Sequence, residues 1–149
     1  MTKRYRASST SLFLMELILS ILFFSIAAAI CVSVFVRSHA MSREASDLSA
    51  AVGVVQQAAE GVRSCASAKE AEDLLGEIWP AGTLSGDTFT VGFDADGSAC
   101  LQEMAVRTLT VVLSESDGLM TAEITCTDAE SGETLFAQDV VRAGTPAAS

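Results

Sequence analysis

The chain has 149 residues, half of them apolar, and nineteen acidic residues against nine basic ones, for a net charge of −10. That balance argues against a nucleic-acid binder, because an acidic surface and a phosphate backbone repel. Cysteines at 31, 65, 100 and 126 are too widely spaced for a zinc-ligand pattern, and no Gly-rich phosphate loop is present.

The charge is split along the chain. Residues 1–37 carry four basic residues and one acid, whereas residues 38–149 carry five basic residues and eighteen acids, a net −13. The sequence begins with a short basic leader, residues 1–11, containing Lys3, Arg4 and Arg6. Residues 12–36 form a run of 25 residues, apolar apart from three serines, a cysteine and Glu16. At about 1.5 Å per residue such a helix crosses a ~30 Å hydrocarbon core with some tilt. The run is too long for the apolar core of a cleaved secretory signal. The basic flank predicts a cytoplasmic N-terminus, one pass through the cell membrane and an extracytoplasmic C-terminal domain. A carboxylate at the centre of a membrane helix costs roughly 2.5–3.5 kcal/mol, so Glu16 calls for a partner.

Beyond residue 36 the helical pattern continues. Met41, Ala45, Leu48, Val52, Val55, Ala59 and Val62 alternate steps of four and three, and no Pro interrupts residues 12–65. Residues 37–65 are therefore an amphipathic continuation of the membrane helix. Ser67-Ala-Lys-Glu70 has the spacing of a capping box. Ala71, Leu74, Leu75 and Ile78 then give a short second helix, which Trp79-Pro80 ends.

The period then becomes two. Phe89, Val91 and Phe93 mark a first strand, and the segment 94–98 a turn. Residues 106–114, with Leu109, Val111 and Leu113 on one face, mark a second strand. Asp117-Gly118 signals a hairpin, and Met120, Ala122, Ile124 and Cys126 alternate with polar residues along a third strand. Residues 134–142 are a fourth strand of ambiguous facing, since Phe136 and Val140 compete with Leu135 and Val141. Such a meander needs a cover for its apolar face, and the amphipathic helix supplies it. The expected fold is α+β, a long N-terminal helix packed on a four-stranded antiparallel sheet. Residues 66–149 and 37–65 form one ectodomain.

No catalytic constellation is visible. The lone His39 has no nucleophile beside it, and the acids are dispersed rather than paired. The segment 94–98 lacks the Gly and Glu that a calcium loop requires at its sixth and twelfth positions. The expectation is a non-enzyme without metal or cofactor. Among the three external cysteines, Cys126 shares the apolar strand face and reads as a buried small hydrophobe. Cys65 ends the helix and Cys100 follows the first turn, so a Cys65–Cys100 bridge is predicted.

A basic leader, Ser11-Leu-Phe-Leu-Met-Glu16-Leu17, a continuous amphipathic helix, a connecting segment and an antiparallel sheet follow in order. This resembles the type IV pilins and pseudopilins of type II secretion-like systems. The resemblance is specific over residues 11–17 and architectural elsewhere. It implies a pilin-like fold and a structural role, with membrane lipid, homologous subunits, a prepilin peptidase and an assembly platform as partners. It also implies cleavage between Ser11 and Leu12, and a Glu16 carboxylate that meets the Leu12 amine of a neighbour. In one departure, Ser11 stands where the family has Gly, and its Cβ bears on cleavage. Left uncleaved, Leu12 has no free amine. The alternative is then a single-pass protein with an acidic extracytoplasmic binding or sensor domain, not assembled into a filament.

Overall fold

The computed structural model describes residues 9–143, so Lys3, Arg4 and Arg6 of the leader and the tail from Gly144 lie outside the described residues. The described residues divide into two units, one up to Glu44 and one from Ala45. One uninterrupted helix, α1 (Ser9–Ser64, 56 residues), contributes to both. The expected continuity across residue 37 is therefore observed: no Pro or cap residue gives the backbone a reason to leave the helical basin there.

In the second unit α1 is followed by α2 (Ala68–Ile78) and an antiparallel sheet. The capping box forms. Ser67 Oγ accepts from the Glu70 amide at 3.3 Å, and Glu70 Oε2 accepts from the Ala66 amide at 2.7 Å. One orphan donor of the first turn and the amide just before the Ser67 cap are thus satisfied. At the other end Trp79 leaves the helical region ahead of Pro80.

The sheet has six strands rather than the expected four. The four long ones are β2 (Thr88–Phe93), β4 (Arg107–Ser116), β5 (Leu119–Asp128) and β6 (Thr134–Ala143). The additions are β1 (Thr83–Ser85) and β3 (Ala99–Cys100), both paired to β2. Strands of two and three residues are too short to show an alternation, so the sequence hides them. The order is β1-β2-β4-β5-β6, and every neighbour is antiparallel. Asp117 (φ 53°) and Gly118 (φ 74°) both take positive φ in the β4–β5 hairpin, as a type I′ connection requires.

Phe89, Val91, Leu109, Val111, Leu113, Met120, Ala122, Ile124 and Cys126 are buried on one face. In β6 the ambiguity resolves in favour of Phe136 and Val140, with Val141 left 65% exposed. A register shift opposite Cys126/Thr127 inserts Leu135 as an extra residue, which makes both Leu135 and Phe136 half-buried. The cover comes from α1 through Ala51, Val55, Ala58, Ala59 and Val62, and from α2 through Ala71 and Leu75. Trp79 meets Phe93 edge to face at 5.7 Å between ring centroids. The buried stripe is shorter than the sequence suggests, since Met41, Ala45 and Leu48 are exposed. The length of the sheet sets this limit.

Two arginines fix α1 along that length. Arg107, at the start of β4, is the one buried charged side chain among the described residues. Its guanidinium donates to Asp47 Oδ1 at 2.7 Å and to the Asp94 carbonyl at 3.2 Å. Arg142, near the end of β6, donates to the Arg63 and Cys65 carbonyls at the C-terminus of α1. There it serves carbonyls that have no helical partner and lies at the negative end of the helix dipole. Residues 47 to 63 span about 24 Å of helix. The cross-strand partners of the two arginines on β5, Asp128 and Met120, are about 27 Å apart along the strand. The two lengths agree, and α1 runs antiparallel to β5.

At the β5–β6 turn, Asp128 Oδ1 accepts from the Ser131 amide (2.7 Å), Ser131 Oγ (2.9 Å) and the Glu130 amide (3.1 Å). These bonds, Ser131's amide first, hold its carboxyl below the usual carboxylate range.

Two predictions follow from these polar contacts. Removing Asp47 leaves a buried guanidinium short of its counter-charge, whereas replacing Arg107 by an apolar side chain removes the buried charge. We expect Asp47→Ala to lower stability by about 2 kcal/mol and Arg107→Met by under about 1 kcal/mol, measured by urea unfolding. For Asp128 the folded-state pKa is depressed, so its contribution is present above the unfolded value and lost as pH falls through the folded one. Asp128→Asn should therefore be less stable than the parent at pH 7, with the gap closing as the pH approaches 2.

Candidate functional site

In the first unit every described residue is exposed, and exposure continues along α1 through Ser46. The exposed side chains include Leu12, Phe13, Leu17, Ile18 and Phe24, which no water-soluble surface presents in such density. Among the described residues α1 is the one helix long and apolar enough to cross a membrane. Two of its hydroxyls are satisfied within the helix: Ser25 Oγ donates to the Ile21 carbonyl at 2.8 Å and Ser33 Oγ to the Ala29 carbonyl at 2.9 Å. A back-bonded serine satisfies its own proton inside the helix.

Ser11, Leu12 and Glu16 all lie on α1. Leu12 is one turn before Glu16, so the two share a face, and Ser11 is rotated away from them. The two ion pairs among the described residues are Arg63–Glu60 and Arg107–Asp47, and Glu16 belongs to neither. A carboxylate on an apolar helix with no cation from its own described chain can be stabilised by one supplied from outside.

The predicted Cys65–Cys100 bridge is not formed; both residues are free thiols. The register explains why. The Cys65 carbonyl is held by Arg142, which lies opposite Met120, itself opposite Glu115 of β4. Cys100 lies opposite Gly92, itself opposite Thr108 of β4. The two cysteines thus sit at opposite ends of the sheet, about 23 Å apart along β4, far beyond the ~7 Å that a disulfide spans. Cys65 Sγ instead donates to the Gly61 carbonyl at 3.3 Å. Cys126 is buried as expected, and its burial pushes the thiol pKa up against the opposing effect of Arg107.

The turn at 94–98 is closed by its own backbone. Asp94 Oδ1 accepts from the Asp96 amide at 3.0 Å and the Ser98 amide at 2.9 Å. Among the described residues no cluster of three or more His, Cys, Asp or Glu side chains is placed to hold a metal ion.

Sequence reasoning missed Arg107 and Arg142. A signal was present: each occupies an inward position of its strand, in phase with Leu109 and Val140. A charge at an inward position needs a partner on the covering layer.

Under native, non-reducing conditions, iodoacetamide should modify the partly exposed Cys100 while Cys65 and Cys126 remain protected until the domain unfolds. Peptide mapping of the labelled sites checks this. No family model matches the sequence, and no curated protein or solved structure matches it either.

Proposed function

We propose that this chain is a membrane-anchored, non-enzymatic structural subunit of the pilin-like type, a minor pilin or pseudopilin that assembles through its N-terminal helix. The observation that carries the reading is the division of labour along α1. Residues 12–36 are apolar and exposed, with a single acid at the fifth position, whereas the segment from Ala51 to Val62 is buried against an antiparallel sheet. A side-by-side array of such helices buries the exposed apolar surface. It also brings Glu16 beside a cation if the mature N-terminus is Leu12. The amine of one subunit then neutralises the carboxylate of the next within a medium of low dielectric. Membrane lipid holds the subunit before assembly, with the N-terminus cytoplasmic and the acidic domain outside. A prepilin peptidase and an assembly platform complete the set of partners.

Ser11 favours a second reading. Its Cβ occupies the place of a family Gly, and an uncleaved chain keeps Leu12 in an ordinary peptide bond. The protein is then a permanently anchored single-pass chain whose acidic domain binds a partner outside the cytoplasm.

Intact mass and N-terminal sequencing of the membrane-extracted protein separate the two readings. Assembly predicts a mature chain starting at Leu12, and recovery of only the uncleaved chain beside an active prepilin peptidase would sink it. Glu16→Ala should insert at least as well as the parent, since a desolvation cost disappears. Its co-purification with homologous subunits should fall roughly tenfold or more, because an uncompensated amine in apolar packing costs about 3–5 kcal/mol. Undiminished co-purification of Glu16→Ala would show that the carboxylate has no role in assembly.

A further inference from the structure

The last strand, β6, ends the sheet. It pairs with β5 on one side and, among the described residues, with nothing on the other. Beyond the bulge at Leu135, Ala137 to Ala143 keep unbroken register with Thr125 to Leu119. This stretch contains no Pro and no Lys; its two charges are Asp139 on the outward face and Arg142, which is turned inward to the end of α1. Half of its backbone donors and acceptors therefore face outward along a seven-residue edge in unbroken register.

The side chains beside that edge specify what it can accept. On the face away from the helices, Asp139 and Glu123 are directly opposite one another, and both are exposed. Like charges in that relation destabilise a sheet. The fold does not compensate them. The basic residues between 45 and 143 are Arg63, Lys69, Arg107 and Arg142. Arg63 lies on α1 and Lys69 on α2, while Arg107 and Arg142 point to the opposite face of the sheet, toward α1. One step further along the same outward face, Val141 is 65% exposed.

We infer that the β6 edge is a strand-addition site for an extended basic segment of another protein, with a Lys or Arg facing Asp139 and Glu123 and a β-branched residue beside Val141. Backbone pairing supplies the affinity and the acid pair selects the partner. A second copy of this chain fits poorly. Homotypic pairing brings two Asp139–Glu123 pairs together, in domains that are each strongly acidic. The inference concerns the acidic domain alone and stands independently of the filament reading.

The test uses the full chain in detergent micelles and a fluorescent peptide, Thr-Ser-Val-Val-Lys-Thr-Thr, designed to lie antiparallel to Ala137–Ala143 with its Lys opposite Asp139. Two control peptides carry Glu for Lys, or N-methyl groups at alternate residues. The Lys peptide should bind saturably, more weakly as salt rises, and should slow amide exchange within 137–143. The Glu and N-methylated peptides should bind at least about fivefold more weakly. Asp139→Lys, at an exposed site outside the core, should reverse the preference between the Lys and Glu peptides. Asp139→Asn should weaken Lys-peptide binding by a smaller factor. Equal binding of Lys and Glu peptides, indifference to N-methylation, or no saturable binding would overturn the inference. So would concentration-dependent self-association that protects 137–143 and resists the peptide, which would assign the edge to a second copy.

Discussion

Everything in the acidic domain depends on how closely α1 can approach the sheet. The face it presents is built from Ala51, Ala58 and Ala59 interleaved with Val55 and Val62, all essentially inaccessible to solvent. Small side chains on the helix let large ones on the strands, Phe89, Leu109, Leu113, Met120 and Ile124, fill the space between the layers. A Leu-rich helix face would hold the layers apart and leave voids around the strand residues. The same choice explains why the sequence pattern understates the packing. Alanines contribute little to an apolar stripe, yet here they are the contact surface.

The polar contacts are placed to define position rather than to supply bulk stability. Arg107 and Arg142 bracket the packed segment, one through a carboxylate near its start and the other through carbonyls at its end. An apolar stripe on a smooth sheet can slide by a turn with little loss of buried area. Two charge-assisted contacts separated by the full length of the strand cannot both survive such a slip. The helix is thereby set in register with β4, β5 and β6.

Much of this was legible in the sequence, and the failures have physical causes. The long helix, the capping box at Ser67–Glu70, the break at Trp79 and the four long strands were readable because each rests on a local rule: periodicity, side-chain capping, or Pro sterics. The inward phase of Phe136 and Val140 was not readable, because the bulge at Leu135 changes parity within one strand. The short strands β1 and β3 are made by pairing, not by pattern. The Cys65–Cys100 expectation failed because chain order says nothing about which end of a sheet a loop reaches. At the candidate site, the sequence exposed the oddity of Glu16. It gave no hint of the β6 edge, because an edge is a property of topology.

Ser25 and Ser33 carry a consequence for lateral recognition. Each hydroxyl has committed its hydrogen to a carbonyl one turn earlier, so each oxygen turns only lone pairs toward the surroundings. At these two places the helix surface can receive a proton donor and has none to give. Two copies of this helix meeting at their serines would thus set acceptor against acceptor. A neighbour that brings an indole, amide or hydroxyl donor to either level finds a complementary surface.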